Sequence, residues 1–184
     1  MESPDSFARL SRRVRESDHA AFSELFEATH VGLLRYAWRL LGEEESARDV
    51  VQTAFIRLWK GRSSLDPEKS VRALLYATVR NLAFNQIRDE QRRRALLAEA
   101  YGTEQHYAPE QDHEIDSEAL SVRIGEWIAE MPPRRREAFV LSRFDQLSHH
   151  EIARVMNLTP NTVNSHIMLA LKHLRERLGA FERG

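Results

Sequence analysis

Apolar residues recur every three to four positions along most of the chain, the spacing that places side chains on one face of an α-helix. The pattern is continuous over residues 20–41, and Gly42 ends it. A second helix is predicted over 43–60, where three glutamates at its start suit the positive end of the helix dipole. The third long helix is predicted to open at Asp66–Pro67, as cap and first helical residue, and to run to about Arg94.

The helical pattern lapses over residues 95–116, which are polar and acidic and have no hydrophobic period. This segment is predicted to be an extended or disordered linker. Beyond the linker, helices are predicted from about Ser117 to a break at Pro132–Pro133 and from there to about Phe144. A capping box at Ser148–Glu151 predicts the start of a short helix, and Thr159–Pro160 predicts the start of the last one.

No stretch predicts a strand, so the predicted fold class is all-α. Two small helical domains are joined by a flexible acidic linker, and the second domain contains a helix-turn-helix. The predicted organisation is an N-terminal extension at 1–17, a first domain at 18–94, the linker at 95–116 and the second domain at 117–184.

Charge is distributed unevenly along the 184 residues, although the net charge is only −1. Residues 1–94 carry 17 Lys and Arg against 14 Asp and Glu, and residues 119–184 carry 10 against seven. Residues 95–118 carry seven acids and no base. Two basic segments therefore flank an acidic one, which favours a nucleic-acid partner despite the near-neutral total.

Several functional classes are disfavoured by composition. The absence of cysteine rules out disulfides and thiolate zinc sites and suits a reducing cytoplasm. No apolar run is long enough to span a membrane, and residues 1–18 lack the apolar core of a signal peptide. No metal, cofactor motif or nucleophile–base arrangement is predicted, so an enzyme is not expected.

Residues 148–178 have the spacing of a helix-turn-helix. Ala153 supplies the small residue where two helices cross, Asn157 tolerates the positive φ of the turn, and Val163 anchors the second helix. The alternative is a helical hairpin that packs against a partner protein. We favour DNA reading because cap, crossing residue, turn and apolar stripe agree; the stripe is Ile167, Ala170, Leu171, Leu174 and Leu178.

The predicted reading turn, TPNTVNSH at 159–166, contains no Lys or Arg. Base readout can use amides and hydroxyls, whereas phosphate contact supplies most of the non-specific affinity. The domain alone is therefore expected to hold DNA weakly. The cations available at its flanks are Arg134, Arg135, Arg136, Arg143, Lys172 and Arg175.

The third helix carries a row of polar residues on one flank of its predicted apolar stripe. Asn81, Asn85, Arg88 and Arg92 lie at positions i, i+4, i+7 and i+11 and share one face. Amides suit base edges and guanidiniums suit phosphates, but a solvated face explains the row equally well. The predicted stripe is Val71, Leu74, Leu75, Thr78 and Leu82.

The second helix has an apolar band that covers more than one face, typical of a partner surface. Burial within a tight bundle is the competing explanation. The band comprises Val50, Val51, Ala54, Phe55, Ile56, Leu58 and Trp59.

Together these segments resemble a bacterial RNA polymerase sigma factor of the extracytoplasmic-function group. The resemblance extends from about Asp18 to Leu178. It rests on RDVVQTAFIRLW at 48–59, VRNLAFN at 79–85, MPPRRREAF at 131–139 and the final helix-turn-helix.

The resemblance implies a function and a set of contacts. The protein would bind core RNA polymerase, through the β′ clamp helices and the β subunit, and direct promoter recognition, melting and transcription initiation. The acidic linker would follow the RNA exit path. The implied polymerase contacts are Asp49, Gln52, Phe55, Leu58 and Trp59.

The resemblance also implies two sets of DNA contacts. The loop 61–70 would capture a flipped base, and the contacts to the minus-ten element would be Arg62, Ser63, Ser64, Lys69, Asn81, Asn85, Arg88 and Arg92. The contacts to the minus-thirty-five element would be Arg143, Thr159, Asn161, Thr162, Asn164, Ser165, His166 and Lys172.

Two other functions stay open at this point. A free-standing helix-turn-helix regulator would bind duplex DNA without polymerase, and an adaptor would bind polymerase without opening promoters. Members of the resembled family are often held inactive by an anti-sigma protein, which leaves such a partner open here.

Overall fold

The computed structural model of the protein describes residues 4–101 and 118–181. Within them the regular structure is helical, which confirms the predicted all-α class. The chain divides into two compact units, residues 1–111 and 112–184. Residues 102–116 of the predicted linker lie outside the described residues.

The helices are named here in chain order. The first unit contains α1 (Pro4–Arg15), α2 (His19–Leu41), α3 (Glu44–Lys60), a short 3-10 helix (Arg62–Ser64) and α4 (Val71–Tyr101), and the second contains α5 (Glu118–Ala129), α6 (Pro133–Arg143), α7 (His149–Met156) and α8 (Pro160–Phe181).

Most of the segment predicted as an N-terminal extension, residues 1–17, forms a packed helix. Helix α1 packs against α2 and α4 and buries Leu10, Ser11 and Val14. Asp18 then caps α2 by accepting a hydrogen bond from the Ala21 amide at 3.0 Å. Hydrogen bonds from that amide, and then from the Arg13 side chain, lower the pKa of Asp18.

The core of the first unit lies between α2, α3 and α4. Helix α4 buries Val71, Leu75, Val79 and Ala83, which follow one another at four-residue steps. Leu74, predicted to belong to this stripe, is instead 45% exposed. The stripe runs along a face next to the predicted one, so Leu74 points outward.

Both ends of α4 differ from the prediction. Asp66 accepts a hydrogen bond from the Glu68 amide, the two-residue offset of an Asx turn, and the helix begins later, with Ser70 accepting from the Ala73 amide. At the other end α4 continues through Tyr101 instead of stopping near Arg94. Residues 95–101 are mostly Ala, Leu and Glu, strong helix formers, which explains the extension.

The second unit contains the predicted helix-turn-helix. The capping box joins Ser148 to Glu151, Asn157 adopts the left-handed conformation with φ 54°, and Ala153 and Val163 are buried. Thr159 caps α8 by accepting from the Thr162 amide at 3.1 Å. Met131, Phe139 and Ala170 form a core with Ile128, Leu171 and Leu174, whereas Leu178 of the predicted stripe is 37% exposed.

Candidate functional site

An apolar groove of about 600 Å³ lies between α2 and α3. Aromatic rings form much of its wall, with Phe26 and Phe55 at a centroid distance of 4.8 Å and Phe22 and Trp59 at 5.0 Å. Phe26 and Ile56 remain 40% and 46% exposed. An apolar surface of this kind suits a protein partner. The lining residues are His19, Phe22, Phe26, His30, Leu34, Arg48, Val51, Gln52, Phe55, Ile56, Trp59 and Lys60.

The groove brings together three of the five predicted polymerase contacts, Gln52, Phe55 and Trp59. Leu58 is 6% exposed and belongs to the core. Asp49 is exposed but lines a separate cleft of mixed polar and apolar character between α3, α4 and the end of α2. Helix α2 contributes Phe22, Phe26 and Leu34 to the groove, and the predicted polymerase contacts included none of them. The sequence signal for these residues is the width of the apolar face over residues 20–41.

The predicted row on α4 is exposed in all four positions. Arg88 donates a hydrogen bond to the Asn85 side-chain oxygen at 2.8 Å. With its oxygen engaged by Arg88, Asn85 keeps its amide nitrogen as a hydrogen-bond donor. The row thus presents donors along one helix face.

Two exposed apolar side chains, which the sequence did not predict to be at the surface, lie near this row on α4. Leu74 lies two helical turns before Asn81, and Phe84 lies between Asn81 and Asn85 in sequence and is 42% exposed. The Arg80 guanidinium carbon lies 4.6 Å from the centre of the Phe84 ring. An exposed ring beside amides and cations is typical of surfaces that stack nucleobases.

The other predicted minus-ten residues lie in the loop before α4 and differ in exposure and in hydrogen-bond partners. Ser63 and Ser64 are exposed, and the Ser64 hydroxyl donates to the Gly61 carbonyl at 2.7 Å. Lys69 is exposed and pairs with Asp66 at 3.0 Å. Arg62 is half-buried, and its guanidinium bonds to other parts of the unit.

Cations beyond the row are partly neutralised. Arg93 and Arg94 both donate to the Glu90 carboxylate, at 2.9 Å and 2.7 Å. The two hydrogen bonds, Arg93 first, lower the pKa of Glu90 to about 2. Glu90 lies opposite the row on α4, so it draws these arginines away from the row.

In the second unit most of the predicted minus-thirty-five residues lie at the surface of the helix-turn-helix. Asn161, Ser165 and Lys172 share the outward face of α8, and Asn164 is also exposed. Thr162 and His166 are half-buried, and Thr159 serves as the cap. Arg143 is exposed at the end of α6, and Lys172 lies 3.8 Å from Glu176.

Across residues 4–101 and 118–181, no three His, Cys, Asp or Glu side chains are grouped so as to hold a metal ion. No helix in those ranges has the length and apolar character needed to cross a membrane.

An apolar groove together with exposed amides and guanidiniums is typical of a DNA-binding protein that also contacts another protein. Residues 25–93 match the family described as Sigma-70 region 2, and residues 121–174 match Sigma-70, region 4. The chain is 31% identical over 176 residues to the ECF RNA polymerase sigma factor RpoE of Cereibacter sphaeroides, covering 92% of this chain and 93% of that protein. The chain belongs to the extracytoplasmic-function sigma factors.

Further relatives agree with this assignment. The ECF RNA polymerase sigma factor SigW of Bacillus subtilis is 29% identical over 175 residues, covering 91% of this chain and 94% of that protein. Among solved structures, CnrH in complex with the cytosolic domain of CnrY matches with a TM-score of 0.66 at 23% identity, over 95% of this chain and 98% of the other. The sigma factor RpoE in complex with the anti-sigma factor NepR from Bartonella quintana matches with a TM-score of 0.62 at 21% identity, over 86% and 96%. These structures share the fold.

Proposed function

We propose that this sigma factor binds core RNA polymerase through the α2–α3 groove and opens promoters through α4 and the loop before it. The observation that carries the proposal is the presence, on one helical unit, of an apolar groove and a separate row of amides and guanidiniums. A DNA reader that works without a partner has no need of the groove, and an adaptor has no need of the row.

The groove would take the β′ clamp helices of the polymerase. Its wall is aromatic and aliphatic, and the residues that line it include no Asp or Glu. Arg48 and Lys60 border it, so a helix with an apolar face and acidic flanks is complementary. Gln52, Phe55 and Trp59 remain assigned to this contact, joined by Phe26 and Ile56.

The minus-ten element would be melted and read along α4. The loop 61–70 would hold a base taken out of the stack, while Asn81 and Asn85 contact base edges and Arg88 and Arg92 contact phosphates. Unstacking a base costs a few kcal/mol, so a pocket that accepts one base offsets that cost selectively.

The minus-thirty-five element would be read by the first turns of α8. Asn161, Asn164 and Ser165 carry amide and hydroxyl groups suited to base edges, and Lys172 and Arg143 carry the charge for phosphates. The affinity of this unit would be modest because its reading turn holds no cation. Tethering it to a polymerase that also holds DNA raises its effective concentration.

Other aspects of the proposal follow from family membership. Sigma factors as a group are not enzymes, and we assign this chain no catalytic residue or cofactor. The protein would act in the cytoplasm, where it would bind the polymerase through domains near 18–94 and 117–184. The β subunit would be a second contact, and the acidic linker between the domains would follow the RNA exit path. The complex of RpoE with the anti-sigma factor NepR supports an anti-sigma protein as a further proposed partner.

The proposal is tested by mapping transcription starts with sigma-free core polymerase, this protein and a library of genomic fragments. Discrete new starts that share two upstream elements would support it. Tight duplex binding by the protein alone, without initiation, would favour a free-standing regulator. Polymerase binding without initiation would favour an adaptor.

The two kinds of contact on α8 are expected to respond differently to substitution. Asn161→Ala should relax the preference at one base pair of the upstream element by about 1–3 kcal/mol, since it removes a base-edge contact. Lys172→Ala should weaken binding to all upstream sequences about equally and lower the slope of log affinity against log salt by about one. Holoenzyme affinity for a panel of upstream variants at several salt concentrations measures both. Equal behaviour of the two variants would contradict the division of roles.

A further inference from the structure

Arg62 is fixed by three contacts inside the first unit. Its Nε donates to the Ser17 hydroxyl at 2.8 Å, one terminal nitrogen donates to the Trp59 carbonyl at 2.8 Å, and the guanidinium carbon lies 4.4 Å from the centre of the Trp59 ring. The Trp59 ring in turn contacts His19 at 4.6 Å and Phe22 at 5.0 Å. Arg62 is the second residue of the loop 61–70, so these contacts anchor the start of that loop.

Ser17 is itself held in place by the turn between α1 and α2. Its backbone has φ 69°, a left-handed conformation that non-glycine residues rarely adopt. The Ser17 amide donates to the Val14 carbonyl at 2.9 Å, and the next amide, of Asp18, donates to the Arg13 carbonyl at 3.0 Å. An unfavourable backbone conformation persists where the surrounding structure determines it, often at functional positions.

Helix α1 contacts the loop region at two further points. Arg12 pairs with Glu68, in the second half of the loop, at 3.3 Å. The Arg72 guanidinium carbon, just after the loop, lies 5.7 Å from the centre of the Phe7 ring. All the α1 residues involved precede residue 25, where the match to Sigma-70 region 2 begins.

We propose that α1 and the turn at Ser17 hold the loop 61–70 in the conformation that captures an unpaired base, with Arg62 as a positioning residue and not a DNA contact. This rests on the proposed function, which assigns base capture to that loop. A loop of ten residues with one short 3-10 turn would lose conformational freedom on binding DNA. Anchoring its start and its second half in the free protein removes part of that loss, which preserves selectivity for one base.

The test compares Ser17→Gly and Arg62→Lys in the holoenzyme with full-length chain. Ser17→Gly removes the hydroxyl while accepting the left-handed backbone, so the turn should fold. Arg62→Lys keeps the charge but cannot bond Ser17, Trp59 and the ring together. The probes are single-stranded oligonucleotides spanning the mapped minus-ten element, with each base varied in turn. Ser23→Ala, at an exposed serine of α2, is the matched control.

Both variants are expected to reduce the affinity ratio between the preferred base and the others by about tenfold, as expected for loss of a charged hydrogen bond. The slope of log affinity against log salt and the affinity for core polymerase should stay unchanged. If Ser17→Gly retains full selectivity, the positioning role is wrong. If Arg62→Gln instead lowers the salt slope by about 0.7 while Ser17→Gly has no effect, Arg62 contacts a phosphate. A wild-type holoenzyme that prefers no base contradicts the proposed function itself.

Discussion

Ile56→Arg is expected to abolish binding of this sigma factor to core RNA polymerase. Ile56 is 46% exposed among the side chains that line the α2–α3 groove, so the change leaves the folded unit intact. A partner filling the groove would bury the new guanidinium where the lining offers no carboxylate and Arg48 and Lys60 already repel it. The dissociation constant, measured by fluorescence anisotropy with labelled protein, should rise at least about 100-fold.

Val31→Arg provides the matched control for this experiment. Val31 is 53% exposed on α2 but does not line the groove. It should bind polymerase as the wild type does, and both variants should unfold at similar temperatures. Equal losses for the two variants would show that the groove is not the docking surface.

Asn85→Ala should impair open-complex formation while leaving polymerase binding unchanged. The Asn85 side chain is exposed on α4, and its oxygen accepts a hydrogen bond from Arg88. Loss of a base-edge contact costs about 1–3 kcal/mol, so open complexes should fall by about five-fold to about 150-fold at equal holoenzyme concentration. Permanganate footprinting of unpaired thymines measures the melted fraction.

Gln86→Ala is the control because it removes an amide from the adjacent position. Gln86 donates to the Ser46 hydroxyl of α3 at 2.7 Å, so its side chain is directed away from the row. It should melt promoters normally. Normal melting by Asn85→Ala as well would remove the row from the minus-ten contact.

The sequence predicted the helix-turn-helix in detail because each of its requirements is local. A cap, a small crossing residue and a turn residue with positive φ each occupy one position, and Ser148, Ala153 and Asn157 meet them. The polar row on α4 could be predicted equally well, because spacing alone determines which residues share a helix face. The exposure of Asn81, Asn85, Arg88 and Arg92 confirms their placement on the surface and leaves their contacts as predictions.

The α2–α3 groove could not be predicted in this way because it depends on how two helices pair. Periodicity identifies which residues are apolar but not which of two apolar faces a neighbour covers. Leu74 was therefore predicted to belong to the apolar stripe of α4, although its side chain is 45% exposed. The predicted start of α4 at Asp66–Pro67 was wrong for a different reason, because an Asp side chain can form an Asx turn as readily as a helix cap.

Helix α4 ends in a stretch that gains little from packing, since residues 91–97 are all exposed. Isolated helical segments of this length are marginal in water, so amide-exchange protection should decline in a gradient from the bundle towards Tyr101. The bonds from Arg93 and Arg94 to Glu90 secure the start of that stretch. Because the pKa of Glu90 is lowered from 4.5 to about 2, this support is fully present above about pH 4.5 and is lost only as the pH falls towards about 2. Mild acid that protonates ordinary glutamates should therefore leave the gradient in place.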